Sequence, residues 1–214
     1  MTINHVAVDI DGTIAGSHEA VIDKLNNVYR EELLKEGTIF SIFSIDDYDE
    51  WGEKFEKFGI TTEDCIDILL DIWKNDYSNI ELIDDKDTVT NSLEKLNFKF
   101  KTDIVTGNPY PDKVNRWLKD NGIYECIHYD HLISIGGLDC EKSDLGYDVY
   151  IDDNPYLINE LDTHQSLLLY HRPYNFSVED GFGPLVFTID NIQYAAENLY
   201  RWNEKLEDVE EDNW

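Results

Sequence analysis

The 214-residue chain carries 46 acidic against 17 basic side chains, a formal charge of −29, which sets long-range electrostatics against nucleic-acid polymers and anionic membranes as partners. No run approaches the roughly 20 apolar residues of a membrane span, and no basic region followed by an apolar stretch opens the chain, so no signal peptide is expected. Cys65, Cys126 and Cys140 lack paired or zinc-type spacing, which favours free thiols in a reducing, cytoplasmic compartment over a disulfide framework.

The segment "HVAVDI" reads as a first, buried strand. Residues 16–84 then lack any convincing strand. "EAVIDKLNNVYREELLKEG" is helical, with Ile22, Leu25, Tyr29 and Leu33 on one face. "TTEDCIDILLDIWKN" is helical too, with Ile66, Leu69, Leu70 and Trp73 aligned. The aromatic cluster "YDEWGEKFEKF" between them serves either as insert core or as a ligand wall. From residue 85 onward helices and strands alternate. "TVTNSLEKL" places Val89, Leu93 and Leu96 on a face with Asp87 as its N-cap, and "KTDIVT" is a second strand. "PDKVNRWLKDNG" starts a helix on Pro111 and stops it at Asn121-Gly122. "YDVYIDD" is a third strand, followed by "NPYLINEL", a helix opened by Asn154 and Pro155. "SLLLY" is a fourth strand and "PLVFTI" a candidate fifth, before a terminal helix bearing Ala195, Leu199, Trp202 and Leu206.

Strands alternating with helices imply a parallel sheet covered on both faces. The expected architecture is α/β: a three-layer, Rossmann-like sandwich, with a core of residues 1–15 and 85–214 and a small helical cap, residues 16–84, inserted after the first strand. Ligands of such sheets bind beyond the carboxyl ends of the strands. There the sequence places Asp9 and Asp11, Thr106-Gly107 and Asp152-Asp153, with Lys142 in the loop entering the third strand.

Four carboxylates gathered at one edge repel one another unless something positive sits among them. A hard divalent ion, Mg²⁺ by preference, suits such an oxygen-rich site and leaves positions for water and phosphate. Together with Lys142 it would hold a phosphate despite the overall charge. The Thr106 hydroxyl, the N–H groups of Gly107 and Asn108, and the end of the helix starting near Pro111 would add to that hold. Lys113 is a rival for the phosphate lysine. With phosphate in place the first two carboxylates have separate tasks: Asp9 attacks phosphorus, and Asp11 protonates the leaving oxygen and then deprotonates water.

"DIDGT" after a strand resembles motif I of the haloacid dehalogenase (HAD) superfamily; Thr106 is similar to its motif II, Lys142 to motif III and Asp152-Asp153 to motif IV. The ordered set spans nearly the whole chain. The resemblance implies an aspartyl-phosphate on Asp9, an acid/base at Asp11, and Mg²⁺ held by the Asp9 side chain, the Asp11 backbone carbonyl and one motif IV aspartate. Asp153 is expected to be the direct ligand, with Asp152 behind it. Dehalogenase chemistry needs neither the second motif I aspartate nor the ion. A narrower resemblance is to the 5′(3′)-deoxyribonucleotidases, through "IDILLDIWKNDYSNIELIDD", the lysine closely preceding "IDD", and "LLLYHRPYN". These usually carry serine after the motif II threonine, where this chain has Gly107. The match is looser in the cap. The implied function is a Mg²⁺-dependent phosphomonoesterase for nucleoside monophosphates, as a monomer or homodimer without nucleic-acid or membrane partners. The alternatives are a phosphatase for a phosphosugar or phospho-acid, and a non-catalytic HAD-like binding protein. Trp51, Phe55 and Trp73 are candidates to stack on a base, with cap core as their plainer use. Arg172 is expected at the surface or a hinge, and every histidine is expected to be structural or exposed.

Overall fold

The computed structural model of the chain describes residues 2–49, 51–136, 138–175 and 186–211, with side chains through residue 204. Six strands form one sheet: β1 (His5–Val8), β2 (Lys101–Thr106), β3 (Leu132–Ser134), β4 (Val149–Asp152), β5 (Ser166–Tyr170) and β6 (Val186–Ile189). All are parallel, in the order β3-β2-β1-β4-β5-β6. The four strands expected from apolar runs are present. Of the candidate fifth, Val186–Ile189 forms β6, while Pro184 and Leu185 lie outside the described residues. β3 escaped notice because three half-buried residues carry no periodicity.

The helices are α1 (Ser17–Val28), α2 (Arg30–Glu36), α3 (Glu53–Glu56), α4 (Thr62–Asn75), α5 (Lys86–Lys99), α6 (Pro111–Asp120) and α7 (Ile192–Glu211). The two sheet faces are covered unequally. Val6, Val8, Ile104, Ile151 and Leu168 face one large core with Leu93 and Leu96 of α5, Trp117 and Leu118 of α6, and Ala195 and Leu199 of α7. Ala7, Val105, Tyr150, Leu167 and Leu169 point the other way, onto Tyr147 and Leu157. Among the described residues, short 3₁₀ turns, Lys142–Leu145 and Pro155–Asn159, sit on that second face. The helix expected at "NPYLINEL" is therefore one of these turns. Asn154 does cap it, accepting the Tyr156 N–H at 2.9 Å, and buried Leu157 anchors it at once to the sheet.

Among the described residues between β1 and α5, α1–α4 and two short 3₁₀ turns supply the regular structure. The expected long first helix breaks at Tyr29 into α1 and α2, and the chain returns so that the Asn26 side chain grips both the N–H and the C=O of Phe40. Phe40 stacks on Phe55 with ring centroids 4.5 Å apart, so Trp51 and Phe55 of the aromatic cluster belong to a core of the insert, while Tyr48 of the same cluster is only half-buried. The two crossings into the insert run side by side: the Gly16 N–H donates to Glu81 O at 2.8 Å, and the Ile83 N–H to Ile14 O at 2.9 Å.

Helix α5 starts two residues earlier than the spacing suggested. Asp85, not Asp87, is its N-cap, with Oδ1 accepting the Thr88 N–H at 3.0 Å. Asp85→Ala is expected to lower unfolding free energy by about 1 kcal/mol, read from urea denaturation midpoints, while Asp87→Ala leaves it nearly unchanged.

Candidate active site

In this strand order the crevice opens between β1 and β4, where the winding reverses direction. Val8 pairs with Ile151 and the Asp9 N–H donates to Ile151 O at 2.9 Å, so Asp9 leaves β1 directly beside Asp152 at the end of β4. The Asp9, Asp152 and Asp153 side chains are buried, and one carboxylate oxygen of each lies within 4.8 Å of the others. Residues 9 and 152–153 are thus brought together by strand pairing.

Lys142 bridges two of these groups. Its Nζ lies 2.6 Å from Asp9 Oδ1 and 2.6 Å from Asp152 Oδ2. Burial works against the ammonium, but Asp152 and Asp9 outweigh it and hold its pKa above the ordinary lysine range. Burial raises the Asp9 carboxyl well above the usual carboxylate range, Lys142 opposes that, and Asp152 and Asp153 add to it. Burial, then the charge of Asp152, push Asp153 up to about 7. The expected rival, Lys113, lies 5.6 Å over the Tyr77 ring instead.

The two motif IV aspartates differ in what their oxygens have left to offer. Asp152 is taken on both sides, by Lys142 and by the Asn154 N–H at 2.9 Å. Asp153 accepts the Tyr174 hydroxyl on Oδ2 at 2.5 Å, and its buried Oδ1 has no partner. An orphaned carboxylate oxygen among three gathered carboxylates is a strong demand for a cation, so these residues fit a hard divalent ion. Asp152 meanwhile clamps Lys142. Gly12 makes room for this arrangement. It has φ +78°, and a Cβ there would stand 2.0 Å from Asp153 Oδ2.

Asp11 is separated from the cluster by the kinked turn. Its Oδ1 accepts the indole N–H of Trp73, on α4 of the insert, at 2.7 Å. Burial raises the Asp11 carboxyl, and the polar side chains of Ser17, Trp73 and Asn108 hold part of that rise back. Trp73 is fully buried, edge-on to Trp117 at 5.8 Å, so a stacking role for it is replaced by this hydrogen bond. Trp51 and Phe55 are likewise buried, against each other and, for Trp51, against His18.

On the β2 side, Thr106 is buried and its hydroxyl accepts the Asn108 N–H at 3.1 Å, which commits that N–H to the loop itself. Ser134 of β3 donates to Asn108 O at 2.5 Å. Gly136 packs so closely that a Cβ would lie 2.2 Å from Gly107 O. Short β3 thus braces the Gly107–Asn108 loop.

A cavity of about 350 Å³ opens over Asp9, Asp11, Lys142, Gly107 and Asn108. From the insert it is lined by His18, Tyr48, Ile66, Leu69 and Leu70. The wall facing the carboxylates is therefore largely aliphatic. α4 is amphipathic with one broad apolar face: Cys65, Ile72 and Trp73 are buried, while Ile66, Leu69 and Leu70 on its flank line the cavity.

Three further residues escaped sequence reasoning. His18 is not merely structural: it lines the cavity, packs on Trp51 and Tyr174, and burial pushes its pKa down to about 4, with Arg172 adding to the shift. Tyr174 joins Asp153 to His18, its hydroxyl 3.3 Å from His18 Nδ1. Arg172 is buried rather than on the surface, pairing with Glu19 of α1. Arg172 and Tyr174 lie in the "LLLYHRPYN" segment, but their roles and that of His18 come from partners more than 20 residues away, which local sequence does not reveal.

No family model matches the chain, and no curated protein does. Solved structures do. The chain is similar to a predicted phosphatase from Clostridium acetobutylicum at TM-score 0.62 and 15% identity, over 94% of this chain and 100% of that one. It is similar to L-2-haloacid dehalogenase from Xanthobacter autotrophicus with chloropropionic acid covalently bound, at TM-score 0.54 and 13% identity, over 93% and 99%. A HAD-superfamily hydrolase of subfamily IA, variant 1, from Geobacter sulfurreducens gives TM-score 0.53 and 12% identity, over 92% and 96%. The class this defines is the HAD-like α/β fold. At these identities the likeness is one of fold, with phosphatase and dehalogenase names both among the neighbours.

Proposed function

We propose that the chain is a Mg²⁺-dependent phosphomonoesterase acting through an aspartyl-phosphate on Asp9, with nucleoside monophosphates, deoxyribonucleotides first, as substrates. The observation that carries it is the division of labour among the acids: Asp9 beside Lys142 and the orphaned Asp153 oxygen, Asp11 held apart by an insert residue. A second acid held at the cavity is what a phosphoryl leaving group needs and what displacement of halide does not.

Lys142, with the Gly107 and Asn108 loop, orients the phosphate against Asp9. An Asp9 oxygen forms a bond to phosphorus as the ester P–O bond breaks, and the electron pair leaves on the ester oxygen, which takes the Asp11 proton. Asp11, now a carboxylate, accepts a proton from water as the water oxygen bonds phosphorus and Asp9 departs. Asp9 and Asp153, with the Asp11 backbone carbonyl, would hold Mg²⁺, which would supply charge neutralisation at the phosphoryl oxygens. Reading residues 16–84 as a cap is supported by His18, Tyr48, Ile66, Leu69 and Leu70, which line the same cavity. Ile66, Leu69, Leu70 and Tyr48 suit a substrate with an apolar, flat body more than a bare sugar.

The experiment is phosphate release over a panel of nucleotides, phosphosugars and phospho-acids, with and without Mg²⁺. Release from nucleoside monophosphates is expected. Release only from phosphosugars or phospho-acids would replace the substrate assignment, and release from none would overturn the class.

A further inference from the structure

The residues of α4 that face the cavity and the one that reaches Asp11 form a single strip. Ile66, Leu69 and Leu70 line the cavity, and Trp73 lies three residues beyond Leu70 and four beyond Leu69, on the same side of the helix. Its indole N–H meets Asp11 Oδ1 at 2.7 Å. The ring has little freedom to turn away. It is fully buried and lies edge-on, at 74°, to Trp117, whose own N–H is spent on Ile80 O at 2.8 Å, in the chain leading back out of the insert. Asp11 belongs to the sheet edge, while Trp73 belongs to the insert, 62 residues away.

We infer that Trp73 is a positioning residue for the Asp11 carboxyl, and that α4 thereby ties the seating of the substrate body to proton transfer at the leaving oxygen. The inference rests on the phosphomonoesterase reading and deepens it. A substrate filling the space against Ile66, Leu69 and Leu70 fixes α4, and α4 fixes the atom that must meet the ester oxygen. Binding energy from the non-reacting body is thereby expressed in kcat rather than in KM.

The test separates proton transfer from binding by leaving group. A nucleoside monophosphate leaves as an alkoxide and needs the Asp11 proton; p-nitrophenyl phosphate leaves as a stable phenolate and does not need it in the first step. For Trp73→Phe, kcat on the nucleotide is expected to fall about 30-fold with KM held within about twofold, while the burst of p-nitrophenol from p-nitrophenyl phosphate keeps its rate. A second variant with 3-benzothienylalanine in place of Trp73 keeps the ring volume and lacks the N–H. It should reproduce the Trp73→Phe kinetics with an unchanged melting temperature, which covers the case in which phenylalanine fails to fold. A p-nitrophenol burst slowed as much as nucleotide turnover, a rise in KM alone, or wild-type kinetics in the benzothienyl variant would each overturn the inference. A wild-type protein that releases phosphate from neither ester overturns the reading of the site, and the inference falls with it.

Discussion

Asp9→Asn is expected to abolish phosphate release, lowering kcat by about 10⁴-fold or more, while raising the melting temperature of the metal-free protein. The two effects have one origin. The carboxylate oxygen is the attacking atom, and an amide oxygen of the same shape is not nucleophilic enough to replace it. Burial pushes the pKa of the same carboxylate well above the usual range, Lys142 opposing and the charges of Asp152 and Asp153 adding to the rise. A neutral amide removes that repulsion and leaves the Asp9 backbone N–H on Ile151 O untouched. Activity assays paired with thermal melts check both halves. An inactive variant that is also strongly destabilised would point to simple misfolding and against the assignment.

The second large effect is expected at Lys142. Its ammonium stands between Asp9 and Asp152, all three being at most 14% exposed in their side chains. Lys142→Met leaves two buried carboxylates without their cation, a change expected to cost about 3–5 kcal/mol of unfolding free energy without divalent ions. Activity should fall about 10²- to 10³-fold as the phosphate loses a fixed positive partner. The lost stability should depend on pH in a definite direction. Asp153 titrates near 7 in the folded chain against about 4 when unfolded. Between those values the folded state binds more protons, so metal-free stability falls as pH rises from about 4 to 7. The same slope is expected, and steeper, in Lys142→Met. Urea midpoints at pH 5 and pH 7.5, with and without Mg²⁺, measure it. Stability of the variant that is flat in pH and indifferent to Mg²⁺ would contradict a shared cation site at Asp9 and Asp153.

Much of this was legible in order along the chain. Four strands announced themselves as apolar runs ending in chemistry-bearing residues, and the rule that parallel sheets bind ligands at their carboxyl edge placed Asp9, Thr106, Lys142 and Asp152-Asp153 at one edge. The different surroundings of Asp152 and Asp153 are visible only in the structure. Lys142 and Asn154 occupy both oxygens of the first, while Tyr174 occupies one of the second. Elements too short for periodicity, β3 and the turn at Pro155–Asn159, were missed or misread.

The sequence by itself determined the strand endings, the acids they carry, and the helical nature of residues 16–84, because these rest on local spacing and backbone preference. Tertiary structure alone decided that Trp73 bonds Asp11, that Arg172 pairs with Glu19, that His18 faces the cavity, and that Leu69 and Leu70 rather than Trp51 or Phe55 wall it. Each of those outcomes depends on which side of an amphipathic element meets which neighbour. A broad apolar face does not say which of its residues are buried and which wall a cavity, and only the packing of the insert against the sheet edge selects them.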